Sequence, residues 1–370
     1  MENRLRQIAN LGQAVWLDNI SRELLNTGRL RELVNEGVTG MTSNPAIFQK
    51  AIADGAEYDD QLRELVNGEE KSTYELYEAL AFRDIADAAD QLRSVYEETD
   101  GRDGFVSIEV DPKLAHDTEQ SIAEARRICQ TIDRPNVMIK IPATEAGAPA
   151  VRALIGEGIN VNATLIFSIG TYEKIVQAYL DGLRSMHKAG KSIHRVASVA
   201  SFFVSRVDTQ IDKVLTERIE AGDSGLATLR GQAAIANAKI AYDRYKAVFE
   251  SDQFADLRAA GARAQRPLWA STSTKNPAYP DTKYVDTLIG PNTVNTLPPA
   301  TLDALRDHGI VARTLDLDVE ESYAVVERLE TAGINLKTFT DRLLTDGVRL
   351  FAEAFEKMIA DLETKRAKFG

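Results

Sequence analysis

Lys140 is the residue whose setting is hardest to explain without chemistry. It sits in VMIKIPAT, an apolar run that reads as a β-strand. Desolvation disfavours a charged amine in such a run. Burial therefore lowers the lysine pKa and yields an amine nucleophile suited to Schiff-base formation. Moving the pKa from roughly 10.4 to about 7.5 takes about 4 kcal/mol, within reach of burial. A snorkelling or salt-bridged structural lysine is the plainer alternative. Other apolar runs carry polar groups at comparable positions. Asp18 interrupts AVWLDNI, Thr42 and Asn44 end a second run, and Glu109 lies late in a third. Asn162 and Thr164 punctuate a fifth run, Ser201 lies in a sixth, and Arg206 follows it. Each alone reads as a satisfied core group or a helix cap. Together they need partners, which a substrate-binding centre supplies. Asp18 and Glu109 suit the acid and base beside a lysine imine. Arg206, Lys275, Ser271 and Ser273 suit a phosphate grip; the alternative for STSTKNP is a capped turn.

These groups need a frame that brings strand ends together. Eight candidate strands fall at 14–20, 37–42, 105–110, 137–141, 159–167, 195–204, 267–272 and 293–297. Several are apolar throughout, as parallel strands buried on both faces are. Helical periodicity follows at 21–36, 172–189, 205–220 and 233–249. Alternating strands and helices predict an α/β fold, and eight units favour a (β/α)8 TIM barrel over an open sheet. Sites in such barrels form at the C-terminal strand ends.

Residues 1–370 are expected to form one barrel domain with additional helices. A helical insertion is expected at about 44–104, including 72–96, and a helical extension from about 301. In that extension Phe339, Leu343, Leu344, Val348, Phe351, Phe355, Ile359 and Leu362 mark one apolar helix face. That face either packs on the barrel's outside or across one end, or forms a dimer contact.

Composition excludes several classes. Hydrophobic residues make 44% and charged residues 27%, an ordinary globular balance. The net charge of −12 disfavours nucleic-acid and anionic-membrane partners. One cysteine, Cys129, excludes an internal disulfide and multi-cysteine zinc sites. The four histidines are scattered, and no metal site is expected. The start, MENRLRQIANLG, has no apolar signal core, and no run is long enough to span a membrane. The expectation is a soluble cytoplasmic protein, monomer or homodimer.

Four segments, in order, resemble the transaldolase family, in the class I Schiff-base aldolase superfamily. Gly40-Met41 followed by TSNPAIF (42–48) is similar to its first signature. VMIKIPATEAG (137–147) is similar to the second, which carries the Schiff-base lysine. INVNATLIFS (159–168) and SFFVSRVD (201–208) match further segments. KNPAYPDTKYVD, GPNTVNTLPPAT and the chain length resemble the longer bacterial subtype. Ala148-Pro149 after Gly147 is a small departure.

The resemblance implies roles. Lys140 forms the imine, and Asp18 moves the proton for carbon–carbon cleavage. Glu109, through a water held by Thr164, assists imine formation and hydrolysis. Asn44 and Asn162 hold substrate hydroxyls or the carbinolamine, while Thr42 and Ser201 orient neighbours. Arg206 binds the sugar phosphate, with Lys275 as second cation and Ser271 or Ser273 beside it. No cofactor is implied. The implied reaction moves a dihydroxyacetone unit from sedoheptulose 7-phosphate to glyceraldehyde 3-phosphate, in the non-oxidative pentose phosphate pathway. It gives erythrose 4-phosphate and fructose 6-phosphate. Two alternatives are a fructose 6-phosphate aldolase-like enzyme and a non-catalytic sugar-phosphate-binding barrel. The aldolase-like relatives carry tyrosine where Phe203 stands here.

Overall fold

A computed structural model of the chain describes residues 3–68 and 70–369. Residues 1, 2, 69 and 370, which the sequence reading includes, lie outside that range. Eight parallel strands pair in chain order and close, β1 against β8, into a barrel. They are β1 (Gln13–Asp18), β2 (Val38–Thr42), β3 (Val106–Glu109) and β4 (Val137–Pro142). β5 (Val161–Ile166), β6 (Ser198–Phe203), β7 (Arg266–Ala270) and β8 (Thr293–Leu297) complete it. Surrounding helices make this a (β/α)8 TIM barrel with additional helices. β4 through β8 are buried at every position, which is why their sequences lack polar alternation.

The expected helices at 205–220 and 233–249 are found as Ser205–Glu220 and Ala233–Phe249. The run at 21–36 instead forms two helices, Arg22–Asn26 and Arg29–Glu36. Gly28 between them adopts φ +82°, a left-handed turn that ends one helix and starts the next. The run at 72–96 likewise divides at Leu92 into Thr73–Gln91 and Arg93–Glu98. Ser72 and Glu75 form a reciprocal capping box at its start.

The two barrel ends differ. Below β1 and β7, Trp16 Nε1 donates to Asp103 Oδ1 (2.7 Å), and Arg266 Nη1 lies 3.4 Å from Asp103 Oδ2. Trp16, Asp103 and Arg266 are all buried there. The opposite end is crossed by the helix Leu336–Arg366. Its Lys365 donates to the carbonyls of Ile52 (2.9 Å) and Gly55 (2.5 Å) and pairs with Asp59 (2.7 Å). Its Phe355 packs edge-on against Tyr77 at 5.4 Å. Gly347 allows this helix to approach β5, because a Cβ there would lie 3.0 Å from Leu165. Leu165 itself is left-handed, φ +60°, where the β5–β6 register shifts. The apolar face noted in the sequence thus packs across one end of the barrel.

Candidate active site

Glu109, Lys140 and Asn162 occupy one row across three neighbouring strands. Glu109 is in register with Lys140, and Lys140 with Asn162. In a parallel barrel such a row projects to one level. The Lys140 and Glu109 side chains are 7% and 8% exposed, and Nζ lies 2.6 Å from Glu109 Oε1. Nζ also donates to the Ser43 carbonyl at 2.9 Å. Burial pushes the Glu109 pKa up, against the lowering effect of the Lys140 charge. A buried pair of this kind needs nearly ideal geometry to be tolerated, and it leaves an amine next to a proton acceptor. Glu109 Oε2 and Thr164 Oγ1 are both buried without a hydrogen-bond partner among the described residues.

Asp18 and Thr42 are the last residues of β1 and β2 and stand in register. Thr42 Oγ1 donates to Asp18 Oδ1 at 2.7 Å. Thr42 has one hydroxyl proton, so Thr296 Oγ1, 2.6 Å away, donates to Thr42 in turn. Burial pushes the Asp18 pKa up; the Thr42 hydroxyl, Lys140 and Lys275 oppose that rise. Asn162 is fixed from both sides: Ser201 Oγ donates to Oδ1 (2.6 Å), and Nδ2 donates to Ser107 Oγ (3.1 Å). Asn44 caps the helix Pro45–Asp54, accepting from the Ile47 amide at 3.0 Å. The cap occupies its oxygen and leaves its amide nitrogen for a ligand.

Arg206 lies in the first turn of Ser205–Glu220, and its guanidinium sits 5.6 Å from the Phe203 ring. It is half-buried, with no carboxylate partner among the described residues. Burial pushes its pKa down, yet a guanidinium stays protonated. A partly desolvated cation without an acid is suited to an incoming anion. Lys275 donates to Ser273 Oγ at 2.7 Å, so Ser273 is the serine bonded to that lysine. Ser271 adopts φ +55° and its hydroxyl lies 3.1 Å from that of Ser205.

These groups share one cleft of about 380 Å³. Asp18, Thr42, Asn44, Lys140, Thr164, Ser201, Phe203, Arg206, Ser271, Ser273 and Lys275 line it. Glu109 and Asn162 touch its lining residues instead, through Lys140 and Ser201. Thr296, Leu350, Phe351 and Ala354 line it too, and the sequence does not mark them as site residues, Phe351 standing out there only as part of an apolar helix face. Thr296 stood in a recognised strand, TVNTL, whose polar residues were the available signal. The Ser43 carbonyl had none. A larger cavity of about 590 Å³ lies beyond Thr144, Ser168 and Asn237; its Lys174–Glu145 pair is exposed. Among the described residues, no three His, Cys, Asp or Glu side chains gather to hold a metal ion.

The family model described as Transaldolase/Fructose-6-phosphate aldolase matches residues 15–362. A Transaldolase 2 of Nostoc sp. is 49% identical, covering 98% of this chain and 97% of its own. A transaldolase of Trichodesmium erythraeum is 48% identical, with 99% and 98% covered. A transaldolase of Thermobifida fusca is 49% identical, with 97% of each covered. The matched segment holds the whole cleft, and the chain belongs to the transaldolase/fructose-6-phosphate aldolase family.

Proposed function

We propose that the chain is a transaldolase, a transferase that moves a dihydroxyacetone unit from sedoheptulose 7-phosphate to glyceraldehyde 3-phosphate. The observation that carries this is the buried Lys140–Glu109 pair opening into a cleft that also holds Asp18 and Arg206. The Lys140 amine adds to the ketose carbonyl. Glu109, through a water bonded to Thr164, carries the protons that turn the carbinolamine into imine and water. The protonated imine is the electron sink. Asp18 takes the proton from the hydroxyl next to the breaking bond. That carbon–carbon bond then breaks, its electron pair enters the imine as an enamine, and erythrose 4-phosphate leaves.

The enamine carbon next attacks the aldehyde of glyceraldehyde 3-phosphate. Asp18 returns its proton to the new alkoxide, and hydrolysis of the imine frees fructose 6-phosphate and Lys140. Arg206, Lys275, Ser271 and Ser273 grip the phosphate of donor and acceptor. Asn44 and Asn162 hold hydroxyls, with Thr42 and Ser201 orienting Asp18 and Asn162. No helix of the described residues is long and apolar enough to cross a membrane. The enzyme acts in the cytoplasm on free sugar phosphates, as a monomer or homodimer, and the net charge of −12 argues against a nucleic-acid partner.

The test is a coupled assay with sedoheptulose 7-phosphate, with and without glyceraldehyde 3-phosphate. Erythrose 4-phosphate should accumulate catalytically only with the acceptor. Sustained release of free dihydroxyacetone at an equal rate without acceptor would make the chain an aldolase instead. No turnover in either arm would leave a binding barrel.

A further inference from the structure

The Lys275 side chain lines two cavities. One is the cleft; the other, of about 360 Å³, is also lined by Asp208, Asp212, Asn276, Tyr279 and Tyr284. Lys275 is exposed and is carried on the long segment between β7 and the helix Lys283–Asp286. Nothing in that segment is regular structure, so something else must hold its lysine on the cleft side.

Two carboxylates tie this segment and the helix after it to the helix that begins beside Arg206. Asp208 and Asp212 lie four residues apart on Ser205–Glu220, hence on one face, and both are buried. Asp212 Oδ2 accepts from the Tyr279 hydroxyl at 2.7 Å, and Oδ1 from the Gly231 amide at 2.8 Å. Asp208 Oδ2 accepts from the Tyr284 hydroxyl at 2.8 Å, and Oδ1 from the Ala234 amide at 2.7 Å. Lys283 lies 3.7 Å from the Tyr279 ring centroid and donates to the Gly231 carbonyl at 2.7 Å. Thr274, next to Lys275, donates to the Pro280 carbonyl at 2.9 Å and so closes the segment on itself. The helix that presents Arg206 is therefore the same body to which the Lys275 segment is tied.

We propose that Tyr279 and Asp212, seconded by Tyr284 and Asp208, are positioning residues that keep Lys275 opposite Arg206 and thereby set the preference for phosphorylated over unphosphorylated substrates. This rests on the phosphate role assigned above to Arg206 and Lys275. Tyr279→Phe removes one hydroxyl and keeps the ring under Lys283. It should raise KM for fructose 6-phosphate about five- to tenfold, as one lost hydrogen bond does, with kcat within about twofold. KM for free fructose should not move. In a Lys275→Ala background the same substitution should have no effect, because the group it positions is gone. Equal KM changes on both donors, or an undiminished effect without Lys275, would overturn the inference and reduce the tyrosine to a loop support. Arg206→Ala is the separate control: an equal loss on both donors there would remove the phosphate assignment itself, and this inference with it.

Discussion

Glu109 and Lys140 face each other in register on β3 and β4, with carboxylate and amine 2.6 Å apart. The amine must lose a proton to become a nucleophile, and the acceptor for it is already in contact. Burial pushes the Glu109 pKa up, against the lowering effect of the Lys140 charge, and so favours a proton on the carboxylate.

Lys140 should be the only lysine modified when the protein is incubated with fructose 6-phosphate and borohydride. Peptide mass spectrometry should find one reduced dihydroxyacetone unit there, and Lys140→Ala should lose activity. A label at another lysine would sink the nucleophile assignment.

Asp18 and Glu109 should fail differently. Asp18→Ala should form the imine without cleaving it, so borohydride traps a six-carbon adduct. Glu109→Gln should slow adduct formation by roughly 10²–10⁴-fold, the range for a lost general acid–base. Intact-mass measurement decides. A three-carbon adduct in Asp18→Ala, or adduct formation at the parent rate in Glu109→Gln, would refute the respective role.

Arg206→Ala should reduce kcat/KM for phosphorylated donors by about ten- to two-hundredfold, since a charge-assisted contact contributes roughly 1.5–3 kcal/mol. Free fructose should be affected far less. Steady-state kinetics on the two donors checks this.

Phe351 sits over Lys140, its ring centroid 5.9 Å from Nζ, on the helix that crosses the barrel. An enamine survives until the acceptor arrives only if stray proton donors are kept away. Phe351→Ala should therefore raise the ratio of released dihydroxyacetone to transferred product, by removing a water-excluding wall over the imine. Product analysis with limiting acceptor measures that ratio, and an unchanged ratio would exclude the shielding role.

Asp208 has its pKa pushed up to about 6, with burial the largest cause. Neighbouring Asp212 adds to the rise; the Ala234 amide, Tyr284 hydroxyl and Lys283 charge oppose it. The unfolded chain titrates near the ordinary value of about 3.9, so between these values the folded state binds more protons. Asp208 therefore contributes a stability that is present in acid and lost as pH rises through about 6. Asp208→Asn carries no such titration. Its Tm minus that of the parent should be more positive at pH 7.5 than at pH 4.5, by roughly 2–5 °C. A difference that is flat with pH would contradict the raised pKa.

Most of the barrel was legible because buried parallel strands leave unbroken apolar runs, and helix bounds such as 205–220 follow an uninterrupted period. The split at Gly28 was not, because a left-handed glycine inside an apolar period looks like any other helical position. Polar residues within those runs or at their ends stand out, which is how Asp18, Glu109, Lys140 and Asn162 come to be candidates from the sequence. Phe351 was seen only as one of a row of apolar residues, since periodicity marks a buried face without saying what it covers. The Ser43 carbonyl that accepts a hydrogen bond from Lys140 leaves no trace in side-chain identity at all.

The crossing helix sets an order of events during synthesis. All eight strands and every polar residue assigned to the chemistry have left the ribosome by Leu297, while Phe351 and the Lys365 anchor come later. Synthesis runs from the N-terminus, so the mouth of the barrel cannot be covered until this last helix has emerged. Once Lys365 reaches the carbonyls of Ile52 and Gly55, near the other end of the chain, the helix lies across the mouth and access narrows to the finished cleft.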